Sequence, residues 1–413
     1  MLYTKEASVG TAGVSAGQVR CAGVSPPQPS ALILPRPLAC IPLAVSPQTV
    51  CLSTVQDFTG GGIHALPSRT TRSSGDPEFD LRIRQLVADW GGDERLSGMT
   101  EELIMTALKL ARDKVGVADM KLFNRSLREM RNAGRVFAPY RERRKISVFG
   151  SARTAPEEEE FQAAEKFAAR ARERGYMIIT GGGDGIMGAA QRGAGREDSF
   201  GLNIRLPFEQ RSNETIEGDQ KLVNFNYFFT RKLHFVKESH AVVLFPGGFG
   251  TMDEAFEVLT LIQTGKARIL PVVMVDKEHG SYWRTWNSFL AEYLLKLGLI
   301  CAEDFHLFKV TDNLEDAISE IEQFYRNFHS YRWVGERFVL RIQHAITDAA
   351  VFELRERFED IVGTNLLEQT VSLPEEQNEP ELADMPRLVF VPARKNFGRF
   401  RQFIDAVNVA PWA

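Results

Sequence analysis

The sequence predicts an α/β fold: a doubly wound parallel sheet, with helices added on its N-terminal side and a small α+β appendage on its C-terminal side. Three observations carry that expectation. Short apolar runs, such as Ala241 to Phe245 and Ile269 to Val275, alternate with helix-length amphipathic stretches between residues 141 and 328. Strands that are apolar on both faces belong to parallel sheets covered by helices on each side. Glycine-rich turns follow two of these runs, and the periodicity changes after His329, where Phe338, Leu340 and Ile342 alternate.

Residues 1 to 75 are rich in Pro, Ser, Gly and Thr and lack helical periodicity, so they read as a disordered leader. Their Ser-rich, acid-poor composition with scattered arginines is the feature they share with transit peptides; an early start codon is the plainer reading. From 76 to 140, apolar residues at spacings of three and four predict helices over Phe79 to Trp90, Thr100 to Val115 and Lys121 to Ala133, with Gly91, Gly92, Gly116 and Gly134 as stops.

The domain expected over 141 to 328 then runs strand and helix in alternation. Ile146 to Gly150 is a strand and Pro156 to Arg174 a helix whose early glutamates suit its dipole. Strands follow at Tyr176 to Thr180, Phe200 to Arg205 and Leu222 to Tyr227, with a helix to Ala194 between the first two. After a short helix to Ser239 come the strand Ala241 to Phe245, a helix to Thr264, the strand Ile269 to Val275, and helices over Trp283 to Leu297 and Leu314 to Phe328. The appendage, 329 to 413, reads as a strand at Phe338, a charged helix from Thr347 to Val362, an acidic link from Leu373 to Asp384, a strand from Arg387 to Val391 and a helix from Phe397 to Val407.

With 413 residues, 44% of them hydrophobic and 25% charged, the chain is long enough to bury a sizeable core. A net charge of −4 gives no basic field for nucleic acid, so small-molecule partners are expected. The best apolar stretch, Ala31 to Val45, is broken by Pro35, Arg36, Pro37 and Pro42, and no membrane helix is expected. Cys21, Cys40, Cys51 and Cys301 have no zinc or disulfide spacing, and the seven histidines no ligand spacing; a reducing, cytoplasmic setting without metal or cofactor is expected.

Two turns compete for the chemistry. The first, Gly181 to Gly188, contains a formal G-x-G-x-x-G that includes Gly183 and Met187. A dinucleotide fingerprint belongs in the first β-α turn with an acid ending the next strand, whereas here a strand precedes it and the next ends at Arg205. The second, Pro246-Gly247-Gly248-Phe249-Gly250-Thr251-Met252-Asp253-Glu254, reads as a phosphate cradle. Its glycines admit an anion to the backbone, helix N–H groups point at it, and the Thr251 hydroxyl adds a donor. It lacks the Lys-Ser/Thr ending of a triphosphate loop. Glu254, in the first helical turn, puts a carboxylate beside the bound phosphate, an unfavourable place unless the acid has a task. The aromatic run Phe225 to Phe229 reads as core more than as a base-stacking platform.

On these residues the chain resembles the LONELY GUY (LOG) family, once labelled lysine decarboxylase-like, whose hallmark is P-G-G-x-G-T-x-x-E. The Arg231-Lys232 pair and the Gly181 to Gly188 turn are further family elements. The family's His two residues before that pair is absent, Phe229 standing there. The resemblance implies a Rossmann-like nucleotide-binding domain and hydrolysis of the N-glycosidic bond of a nucleoside 5′-monophosphate, AMP or a relative such as a cytokinin ribotide. It implies catalytic places for Arg231 and Glu254, and substrate contacts at Gly183, Met187, Glu209, Lys232, Gly247 to Thr251 and Thr260, in a homo-oligomer. A non-catalytic nucleotide or molybdenum-cofactor carrier is the alternative within the fold. A pyridoxal-phosphate decarboxylase would need a Schiff-base lysine, and neither Lys232 nor Lys266 has a supporting motif.

Overall fold

The computed structural model describes residues 73–206, 211–363, 367–377 and 379–413. The expected leader therefore falls almost wholly outside the described residues, and Glu209 falls outside them too.

Three helices open the described chain: α1 (Pro77–Trp90), α2 (Ser97–Arg112) and α3 (Val117–Phe137). Asp76 caps α1 by accepting from the N–H groups of Glu78 and Phe79, which satisfies two donors the helix cannot pair itself. The expected stop at Gly134 is overturned, since α3 runs through it to Phe137. A mid-helix glycine costs only about 1 kcal/mol relative to alanine, and Ala133 and Phe137 bury on either side of it, Phe137 stacking on Phe200 at 4.4 Å.

Seven parallel strands then build the central sheet: β1 (Lys145–Phe149), β2 (Met177–Thr180), β3 (Ser199–Ile204), β4 (Leu222–Phe225), β5 (Ala241–Leu244), β6 (Val272–Val275) and β7 (Lys309–Thr311). Between them run α4 (Glu159–Glu173), α5 (Ile186–Ala194), α6 (Phe228–Glu238), α7 (Phe249–Gln263) and α8 (Tyr282–Phe289), with α9 (Leu314–Phe324) following β7. The strand order is β4-β3-β2-β1-β5-β6-β7. Winding reverses between β1 and β5, which pair in register from Ile146 with Ala241 to Phe149 with Leu244. Beyond the carboxyl ends of those two strands a doubly wound sheet leaves its crevice.

Each sheet face has its own core. One packs Ile146, Val148, Ile178, Val243 and Val273 against α4, α5 and α9. The other packs Met177, Phe200, Leu202, Val242 and Met274 against α3, α6, α7 and α8, and continues without a break into the C-terminal part.

That part is a four-stranded antiparallel sheet, order β10-β11-β9-β8, made of β8 (Phe328–Val334), β9 (Arg337–Ile342), β10 (Glu368–Thr370) and β11 (Arg387–Phe390). Its helices are α10 (Asp348–Arg357), α11 (Glu359–Val362) and α12 (Phe397–Val409). Phe400 of α12 stacks on Phe338 at 4.8 Å. The segment before β11 is tied down by a buried ion cluster: Glu376 accepts from Arg341 at 2.5 Å and from Arg387 at 3.2 Å, all three side chains nearly solvent-free.

Several expectations need correction here. The helix expected over Leu314 to Phe328 ends at Phe324, and Phe328 starts β8; Phe324 and Phe328 satisfy helical spacing, but both bury because a turn carries the second back to the core. β7 and β10 were not expected, being three residues each with no apolar run. The helix expected over Trp283 to Leu297 is α8 followed by a π-helical segment, Leu290–Leu295. The single helix expected over Thr347 to Val362 is broken at Phe358 into α10 and α11.

Candidate active site

The cavity at the reversal point measures about 800 Å³ and is lined by Phe149 at the end of β1 and Gly150 to Arg153 after it, by Gly247 to Glu254, and by Met187, Phe228, Arg231 and Tyr282. The lining thus joins the first turn of the sheet to the one after β5. A hydrogen bond from the Ser151 N–H to the Pro246 carbonyl, 3.0 Å, stitches the two together.

The loop after β5 owes its shape to specific glycines. A Cβ on Gly247 would lie 2.1 Å from Thr251 Oγ1 and 2.9 Å from the Ser151 nitrogen, so only glycine fits. At Gly248 and Gly250 a Cβ would meet no protein atom. Neither has a positive φ, so the open space on the cavity side, rather than the fold, is what a side chain there would fill. No side chain caps α7 at Gly248, and the N–H groups of its first turn remain for an anion. Tyr282 Oη donates to the Gly247 carbonyl at 2.5 Å and fixes the loop from α8.

Arg231 and Lys232 lie on the first turns of α6, opposite. Arg231 is half-buried, its Nε donating to the Leu202 carbonyl at 2.8 Å and its guanidinium lying 5.2 Å from the Phe235 ring. Burial holds its pKa below the ordinary value, against the attraction of Glu254. A Cβ on Gly181 would lie 2.6 Å from Arg231 Nη2 and 2.7 Å from Met187 Sδ. The first glycine-rich turn therefore makes room for an arginine.

Glu254 lines the cavity with its side chain 11% exposed, 3.5 Å from Lys232 Nζ. Burial raises its pKa to about 7, partly opposed by Lys232 and Arg231. Lys232 also meets Asp253 at 2.9 Å and Glu257 at 2.8 Å. Burial works against its ammonium, but the hydrogen bonds to Glu257 and Asp253 outweigh this and leave its pKa raised. A carboxylate that ionises near neutrality beside two cations is chemically suited to take a proton from water and to face developing positive charge.

Arg231, Glu254, Met187 and Gly247 through Thr251 thus converge, and Lys232 touches the cluster through Glu254. Besides Lys232, two of the expected residues do not line the cavity. Thr260 is exposed farther along α7, and Gly183 is buried with its carbonyl accepting from Asn213 at 2.8 Å. The reading of Phe225 to Phe229 as core holds for Phe225 alone; Phe228 and Phe229 are exposed, and Phe228 lines the cavity because α6 begins there and turns it outward. Sequence reasoning missed Ser151, Arg153 and Tyr282, whose proximity depends on a strand order that no local pattern encodes. Gly150-Ser151, immediately after the first apolar strand, is the signal that was available.

No helix among the described residues is long and apolar enough to cross a membrane. No group of three His, Cys, Asp or Glu side chains among them is placed to hold a metal ion.

Residues 187–321 match the family model described as "Possible lysine decarboxylase". The chain is 30% identical over 161 residues to a cytokinin riboside 5′-monophosphate phosphoribohydrolase of Mycobacterium tuberculosis, covering 38% of this chain and 81% of that one. It is 26% identical over 147 residues to a pyrimidine/purine nucleotide 5′-monophosphate nucleosidase of Escherichia coli, where the match spans only 33% of this chain and 32% of that one. Among solved structures it is similar to the molybdenum cofactor binding protein of Rippkaea orientalis, at 17% identity and a TM-score of 0.32, over 44% of this chain and 96% of that one. Given the family model, the relative matched over most of its length and the glycine loop seated where the sheet reverses, the chain belongs to the LOG family.

Proposed function

We propose that the chain hydrolyses the N-glycosidic bond of nucleoside 5′-monophosphates, AMP or a close relative, to free base and ribose 5-phosphate. The observation that carries this reading is the pairing of an open anion cradle, Gly248 to Thr251, with a buried carboxylate whose pKa is about 7 one helical turn away. The names of the relatives in M. tuberculosis and E. coli support the same substrate class.

In this mechanism the 5′-phosphate rests on the N-terminus of α7 and the Thr251 hydroxyl. The bond from C1′ to the base nitrogen breaks with its electron pair leaving on the base, and positive charge develops on the ribose. Ionised Glu254 stabilises that charge and accepts the proton of the attacking water, while the base gains a proton on release. Arg231 orients the carboxylate and sugar. A carrier of nucleotide or molybdenum cofactor would need no such carboxylate beside the phosphate.

We assign catalysis to residues 141–328 and support to the flanking segments. We also infer self-association, from the family resemblance and from the exposed Phe228 and Phe249 that line the cavity, with exposed Phe229 and Leu233 on the same helix as Phe228; a monomer by light scattering overturns that part.

Chromatography of products after incubation with AMP, GMP, CMP, UMP and adenosine tests the main reading. Free base from at least one monophosphate, with adenosine a poor substrate, is expected. Equal turnover of AMP and adenosine removes the cradle's role, and no turnover of any removes the activity.

A further inference from the structure

We infer that Glu129, a residue of the N-terminal helical extension, is a positioning residue for the Arg231-Lys232 pair. Glu129 lies on the buried stripe of α3, with Ser126, Ala133 and Phe137 at helical spacing, and it is 7% exposed. A carboxylate there is costly unless hydrogen-bonded. Its partners all come from one place. Oε1 accepts from the Asn226 backbone N–H at 3.0 Å and from Asn226 Nδ2 at 2.7 Å, and Oε2 accepts from Thr230 Oγ1 at 2.7 Å.

Asn226 immediately precedes the Tyr227 N-cap of α6, and Thr230 is the third residue of that helix. No side chain of α6 itself caps it at Tyr227. Glu129 does not cap those N–H groups; from another helix it ties together the residue before the N-cap and the third residue of α6, with its carboxylate at the end of the helix where the dipole favours negative charge. Thr230 is fully buried, and the next two residues are Arg231 and Lys232. The rotation of α6 about its axis decides whether Arg231 reaches the Leu202 carbonyl and the space left by Gly181, and whether Lys232 reaches Glu254. Both carboxylate oxygens of Glu129 hold that rotation. Residue 129 lies outside the residues 187–321 that match the family model, so this anchor is supplied by the flanking segment.

This inference rests on the proposed hydrolysis, with AMP, GMP, CMP and UMP as probes. In the full-length chain, Glu129→Ala is expected to lower kcat by about 10-fold to 100-fold with KM within about threefold, because misplacing catalytic groups affects the transition state more than ground-state binding. Thr230→Val replaces only the hydroxyl, with a methyl group, and is expected to lower kcat in the same direction. Combined with Glu129→Gln it should show less than the product of the single effects, since the two share one hydrogen bond. The second pair keeps the test alive if Glu129→Ala does not fold. Parent-like kcat in folded Glu129→Ala, a change confined to KM, or multiplicative effects of Thr230→Val and Glu129→Gln each overturn the inference. If the unsubstituted chain cleaves none of the four nucleotides, the hydrolase reading fails separately. Anchoring is then judged by amide hydrogen exchange at residues 228–232, which must quicken in the Glu129 variants; unchanged exchange overturns it.

Discussion

Glu254 is the side chain in which burial and chemistry meet. Because its pKa is raised to about 7, chiefly by burial, the ionised base is lost as pH falls through neutrality. The acid limb of kcat/KM is therefore expected near pH 7. Lys232 lowers that pKa, so Lys232→Met should move the limb to higher pH; a limb at or below the parent's contradicts the assignment. Glu254→Gln should lose ~10² to 10⁴ in kcat while binding nucleotide as well or better, the repulsion with phosphate being gone. The same shift sets a stability signature. Folded Glu254 ionises less readily than in the unfolded chain, so its charge destabilises the fold once pH has risen through 7, and not at all below the ordinary carboxylate value. Glu254→Gln should therefore melt higher than the parent at pH 8, and the gap should close below the ordinary carboxylate value. Two melting curves decide it.

At the scale of elements, the loop and helix after β5 were legible from residues 246 to 254 alone, since a glycine run between an apolar strand and a helix has few other uses. Its partner loop after β1 was not. Gly150 to Arg153 gain meaning only once β1 and β5 are neighbours, and the order of parallel strands is set by helix packing far along the chain. Short β7, with Lys309 at its start, and β8, disguised by the helical spacing of Phe324 and Phe328, stayed hidden because local pattern gives them no distinct period. The role of Gly181 was hidden too, as it is defined by an arginine fifty residues later. The glycines of the cradle make a sharp contrast. Gly247→Ala forces Thr251 and Ser151 apart and should cost about 1–3 kcal/mol in stability, as overpacking does. Gly248→Ala meets nothing within the protein and should leave Tm unchanged while raising KM for the nucleotide. Equal effects of the two on Tm would mean that the space beside Gly248 is not kept for a ligand.

Over the whole molecule, the apolar core on one sheet face runs on from Val242 and Met274 through Phe324 and Phe328 to Phe338, Leu388 and Phe400. A chain limited to residues 140–330 would expose that seam and lose the Glu129 anchor together. It is expected to aggregate or melt well below the full chain; if it matched the full chain in activity, stability and oligomeric state, the flanks would have no supporting role. The ion cluster of Arg341, Glu376 and Arg387 adds a consequence of another kind. Burial alone would raise the pKa of Glu376, but the Leu373 N–H and the two arginines outweigh it and hold it below the ordinary value. Its contribution is therefore complete above the usual carboxylate range and is lost as pH falls below that range. Glu254 changes charge near neutrality, where this clasp is fully formed. The fold and the proposed chemistry thus answer to acid in separate windows, and mild acidification is expected to silence the proposed hydrolysis while the C-terminal clasp stays closed.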